Sequence, residues 1–155
     1  MPVREVRADY ARVKLGAANL YHRRVEIRSG LTGTAELVVG EQHTAPRIGS
    51  GRVHVLATPV MINLIEAAAL AAIEHLLAAG YQSLGTHLDV RHIAATPVGM
   101  KICASATVTR VDGRTVTFAV SVSDEKELIG DGTHARVVVN VEKFDVRVQK
   151  KLARG

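Results

Sequence analysis

The sequence predicts an α+β domain in which an antiparallel sheet wraps around one long central helix. Two observations carry this. The stretch Thr58 to Gly80 is apolar on almost every side, and a helix of that kind buries most of its surface. One strand-like segment precedes it and four follow, joined by tight turns, which is how antiparallel sheets are connected.

The helix comes first. Threonine followed by proline at 58 and 59 is a good start, because the hydroxyl can cap a free N–H and proline fits the first turn. Alanine and leucine fill the middle, and Gly80 is a natural stop. A run of about 21 residues is long enough to span a bilayer. Asn63, Glu66, Glu74 and His75 interrupt it, so it reads as the core helix of a soluble domain, with no membrane partner expected. Glu66 is then an ionisable group in a nearly apolar helix, and it needs a partner or a purpose.

Around the helix, residues 31–39 form an expected first strand. Gly40 to Arg52, with Pro46 and three glycines, reads as loop. After Gly80 a short link should reach Gly85. Thr86–Ala95 alternates, with Leu88, Val90 and His92 on one face and His87, Asp89 and Arg91 on the other. Met100–Val111 puts Ile102, Ala104, Ala106 and Val108 on one face, and Asp112-Gly113-Arg114 is a hairpin turn. Thr115–Ser123 aligns Val116, Phe118, Val120 and Val122. The last strand is expected from Leu128 to Phe144, bent at Gly130 and Gly132, with a frayed tail after it. One strand, a buried helix and four strands make the arrangement called the hotdog fold. Such a sheet leaves open edges, so a homodimer or a dimer of dimers is expected.

Composition narrows the class. At 155 residues and 47% hydrophobic, the chain suits one domain with a real core. The single cysteine, Cys103, excludes an internal disulfide and argues against a Cys-based metal site, which fits a cytoplasmic location. The first 30 residues contain no apolar run of the signal-peptide kind. They hold seven basic and three acidic side chains of the chain's 20 and 15. The high pI therefore belongs to a basic extension, 1–30, and the domain proper is 31–150. A basic arm can contact nucleic acid, but its interspersed acidic residues favour a solvated extension, and nucleic acid is not expected as a partner.

His92 is the second unusual residue. It shares a face with Leu88 and Val90, the face expected against the helix, where an imidazole needs a hydrogen-bond partner. Glu66 is the candidate type. Either the two form a buried pair that fixes register, or they are an acid–base pair in an apolar pocket. Thr58 reads as a helix cap, and eight residues place it about 12 Å along the axis from Glu66. Gly85, at the start of a strand, is a plain loop glycine or a point where a ligand meets a backbone N–H. Arg136 alternates with Val138 and Asn140 and reads as solvated. Cys103 has no neighbouring base. The histidines show no metal-ligand spacing, and no metal is expected.

Several segments together resemble the fluoroacetyl-CoA thioesterase group of hotdog proteins. They are Ala57-Thr58 with Met61 and Leu64-Ile65-Glu66, and Ser83-Leu84-Gly85-Thr86. They continue with His92-Ile93-Ala94-Ala95-Thr96-Pro97 and Gly99, Gly130-Asp131-Gly132-Thr133-His134 with Arg136, and Val141-Glu142-Lys143-Phe144. The resemblance covers about residues 31–150. It implies acyl-CoA thioester hydrolysis by a catalytic set of Thr58, Glu66 and His92. It also implies that the Gly85 N–H binds the thioester oxygen and that Arg136 supports the site. No cofactor is implied, coenzyme A being part of the substrate. Glu66 would either attack the carbonyl or activate water. The group's phenylalanines in the loop before the helix have no counterpart in residues 49–56, which puts fluoroacetyl selectivity in doubt. A hotdog hydratase or dehydratase, or a non-catalytic acyl-CoA-binding module, is the alternative reading.

Overall fold

Five strands and one central helix carry the architecture in the computed structural model, which describes residues 26–153. Residues 1–25 of the basic extension lie outside the described residues. The elements are β1 (Thr32–Val38), α1 (Ala45–Ile48), α2 (Thr58–Ile73), β2 (Tyr81–His92), β3 (Lys101–Asp112), β4 (Thr115–Ser123), β5 (Leu128–Asn140) and α3 (Val141–Leu152). The sheet order is β1-β3-β4-β5-β2, and every neighbouring pair is antiparallel.

The expected alternation places the core. Ile102, Ala104, Ala106 and Val108 on β3 and Val116, Phe118, Val120 and Val122 on β4 are all buried. They meet Met61, Leu64, Ile65, Ala68, Ala69, Ala72 and Ile73 of α2. Each of the larger side chains contributes about 1.5–3 kcal/mol by leaving water. α2 packs chiefly on β1 and β3. A Cβ on Gly33 of β1 would lie 2.2 Å from the Ala68 carbonyl oxygen and 2.3 Å from the Ala72 nitrogen, so only glycine lets the two backbones approach this closely. By length and composition alone, Thr58–Leu76 would suffice to cross a membrane. One face of it lies on the sheet instead.

The structure departs from the expected elements at four places. α2 ends at Ile73, and a 3₁₀ turn, Glu74–Leu76, follows in place of continuous helix to Gly80. The Glu74 side chain is taken by the start of β2, where it accepts the Ser83 N–H and hydroxyl. β2 begins at Tyr81, five residues early, because Tyr81 to Gly85 already pair with β5. The loop 40–52 contains a 3₁₀ turn (Glu41–His43) and the short α1. The last strand stops at Asn140, where Val141 starts a helix. The Asn140 side chain accepts the Lys143 N–H at 3.0 Å, Glu142 lies in the first turn, and Lys150 and Lys151 lie in the last. Cap and charges both favour a helix there.

Candidate active site

Two clusters of polar side chains lie along α2, one at its start and one at its middle. At the start, Thr58 is the first helical residue rather than the cap, which is Ala57. Its hydroxyl makes no capping bond and instead lies 2.8 Å from His92 Nδ1. The other ring nitrogen, His92 Nε2, is buried and has no hydrogen-bond partner among the described residues. Burial holds the His92 pKa below its ordinary value of 6.5, only partly offset by the Ala94 backbone, so the neutral ring is favoured. Beside this pair is a cavity of about 350 Å³ whose walls include Ser50, Gly51, Arg52, Val53, Thr58 and His92. Among the described residues no Phe, Tyr or Trp lines it.

The chain leaving β2 anchors this end. The buried Thr96 hydroxyl donates to Asp124 at 2.9 Å, and its carbonyl accepts from the Leu56 N–H at 2.9 Å. Burial would raise the Asp124 carboxyl, but the N–H groups of Lys126 and Glu127 and the Thr96 hydroxyl outweigh it and hold it below 3.8. The Thr96-Pro97 step is therefore part of the support that fixes the loop over the cavity.

At the middle of α2, Glu66 finds a partner, but it is not His92. Arg136 Nη1 donates to Glu66 Oε2 at 3.0 Å. Among the described residues no hydrogen bond joins Glu66 to His92 or Thr58. Arg136, expected on a solvated face, is 4% exposed. Its cross-strand partners are Val116 on β4 and Gly85 on β2, so it lies on the covered face of the sheet. Gly85 abuts the carboxylate: a Cβ there would lie 2.9 Å from Glu66 Oε2. A side chain at 85 would displace the group that the helix and the arginine hold in place.

Three residues of this cluster were missed by the sequence reading. Ser83 accepts Arg136 Nε on its hydroxyl oxygen at 2.8 Å and Arg136 Nη2 on its carbonyl at 2.9 Å. Glu74 accepts the Ser83 hydroxyl at 2.6 Å and its N–H at 2.9 Å. His134, fully buried, donates from Nδ1 to the His87 carbonyl at 2.9 Å and stacks on Phe118 at 6.0 Å between ring centres. Burial lowers its pKa, and the neighbouring Arg136 cation adds to that. A neutral ring protonated at Nδ1 leaves Nε2 as an acceptor facing Arg136 Nη1 at 3.4 Å. Ser83, His134 and Arg136 all lie inside segments quoted above for the resemblance, which is the one signal that pointed at them.

Elsewhere the residues behave as surface or core. His87, Asp89 and Arg91 are exposed, and Arg91 forms a two-bonded pair with Asp131. Burial raises the Cys103 thiol, as suits an unreactive one. Among the described residues no cluster of three or more His, Cys, Asp or Glu has metal-binding geometry.

Over residues 39–142, which include both clusters, the chain matches the fluoroacetyl-CoA-specific thioesterase (FlK) family. A fluoroacetyl-CoA thioesterase of Streptantibioticus cattleyicolor is 41% identical over 101 residues, 65% of this chain and 73% of the relative. The solved structure of the fluoroacetyl-CoA thioesterase FlK superposes with a TM-score of 0.77 at 35% identity, covering 81% of this chain and 98% of that one. A thioesterase superfamily member from Thermus thermophilus gives 0.78 at 27% identity, over 83% and 96%. These neighbours share the sheet wrapped around a helix, so the fold is a hotdog. The chain belongs to the fluoroacetyl-CoA-specific thioesterase family.

Proposed function

We propose that the protein is an acyl-CoA thioesterase acting on small acyl groups, with Thr58, Glu66 and His92 as its catalytic residues. The observation that carries this is the Glu66 carboxylate. It stands on a nearly apolar helix, held at one oxygen by a buried guanidinium and given room by a glycine. The guanidinium is buried while the Glu66 side chain is 36% exposed, so the pair holds the carboxylate in place and still leaves it open to a substrate. In this reading the Gly85 N–H polarises the thioester carbonyl, and Glu66 attacks it or activates a water. His92, neutral and hydrogen-bonded to Thr58, moves the proton that the thiolate takes as it leaves. Thr58 orients the ring, and Arg136 orients the carboxylate. Because no Phe, Tyr or Trp is among the described residues that line the cavity beside His92, the proposal does not extend to selectivity for the fluoroacetyl group.

The working unit is proposed to be a homodimer, with residues 1–30 a basic extension outside the catalytic domain and a cytoplasmic location. Thiol release from a panel of short-chain and aryl acyl-CoAs tests the activity, with wild type beside Glu66→Gln and His92→Ala. Turnover that collapses in both folded variants is the expected result. A wild type that releases no thiol from any of them overturns the reading and leaves a binding module.

A further inference from the structure

Arg136 has five N–H donors in a planar fork, and the way they are shared out makes one of them point at Glu66. The Glu74 carboxylate can only accept, so the 2.6 Å contact fixes the Ser83 hydroxyl proton on Glu74. What remains on Ser83 Oγ is lone pairs, and Arg136 Nε donates to one of them at 2.8 Å. Nη2 donates to the carbonyl of the same serine at 2.9 Å. One edge of the guanidinium is thus clamped by a single residue. Nη1 is left facing away from the clamp, toward Glu66 Oε2 and the acceptor nitrogen of His134. Ser83 is 5% exposed and Arg136 4%, so water does not substitute readily for any of these bonds.

We propose that Glu74 and Ser83 are positioning residues that act through Arg136 to orient the Glu66 carboxylate. The proposal rests on the thioesterase reading for its kinetic consequence but not for its geometry. Glu74 ties the end of the helix to the strand: the residue that caps α2 also holds Ser83, near the start of β2, in place for the arginine. Without the carboxylate, the Ser83 proton can turn toward Arg136 Nε, and the clamp becomes a repulsion between two donors. Small angular errors in a catalytic carboxylate cost about 10–100-fold in rate.

The test is Ser83→Ala and Glu74→Gln, assayed for kcat and KM, together with the ¹⁵N–¹H signal of Arg136 Nε and its exchange with solvent. The expected result is a kcat about 10–100-fold lower in Ser83→Ala with KM within about twofold. Glu74→Gln, which keeps an acceptor, should fall less, and Glu74→Ala more. Exchange at Arg136 Nε should quicken in step. A folded Ser83→Ala with unchanged kcat overturns the proposal. Should Ser83→Ala not fold, the near-isosteric Glu74→Gln decides alone, with kcat and Nε exchange both at wild-type level as the overturning outcome. If wild type itself has no turnover, the catalytic reading fails separately. The Nε exchange rates of the variants then still decide whether Glu74 and Ser83 hold the arginine.

Discussion

His92 is a candidate catalytic residue whose protonation is shifted by burial. Its ring lies at the start of α2, with one nitrogen on Thr58 and the other without a partner among the described residues. Burial depresses its folded pKa below 6.5, so the sign of the pH effect is fixed. The stability that comes from the neutral ring is complete above the unfolded value and is lost as pH falls from 6.5 toward the lower folded pKa. His134 is shifted in the same direction and adds to the loss. If neutral His92 is the working form, kcat/KM should hold level at neutral pH and fall on an acid limb whose midpoint lies below 6.5. A pH–rate profile, checked against an NMR titration of the His92 ring, measures it. A limb above 6.5 would contradict the assignment. Glu66 and His92 were legible in the sequence because each is a polar residue where the pattern demands an apolar one. Glu74 was not, and Ser83 only as part of the resemblance, since two polar residues beside a turn look like solvent-facing ones until the strand register is known.

At the scale of the elements, two one-residue irregularities build the site. β4 and β5 shift register between Val122 and Ser123, where Ser123 pairs with Leu128 but Val122 pairs with Gly130. Without that shift Ala135, not Arg136, would stand opposite Val116, and the arginine would face outward as alternation predicts. The second shift lies between Gly85 and His87 on β2. It puts odd-numbered Ser83 and Gly85 and even-numbered Val90 and His92 on one face, which strict alternation forbids. This is why the sheet itself was readable in the sequence while its polar face was not. The C-terminal helix was hidden for a related reason: Val141 and Phe144 continue a plausible strand, and only the Asn140 cap turns them into a helix. Two glycines separate support from function. At Gly33 an added Cβ meets helix backbone, which cannot yield, so Gly33→Ala should cost about 1–3 kcal/mol of stability. At Gly85 it meets the flexible end of Glu66, so Gly85→Ala should stay folded, with a stability change under about 1 kcal/mol, yet lose about 10–100-fold in rate. Thermal melts run beside thiol-release assays should show this reversed order, and equal loss of both properties in Gly85→Ala would show that the glycine serves the fold alone.

At the scale of the whole molecule, the sheet is unevenly covered. α2 packs chiefly on β1 and β3, while β2, the strand that carries Ser83, Gly85 and His92, is an edge with no strand on its outer side among the described residues. It is 12 residues long and exposes Tyr81, Leu84 and Leu88. A long edge with apolar side chains offers unpaired backbone groups to another chain, and in the proposed homodimer a second copy of the same strand would close the arrangement with two-fold symmetry. Sedimentation equilibrium should therefore return twice the 16.6 kDa of one chain. The catalytic consequence follows from the same strand. Ser83 and Gly85 sit on this edge strand, where β5 and Glu74 are the supports within one copy, so a lone copy should hold Arg136 and Glu66 less firmly than a paired one. Specific activity should then fall on dilution in step with the loss of the double mass. A 16.6 kDa species with undiminished activity per chain would show instead that the two shifts in register and the Glu74–Ser83–Arg136 chain are enough to order the site within a single copy.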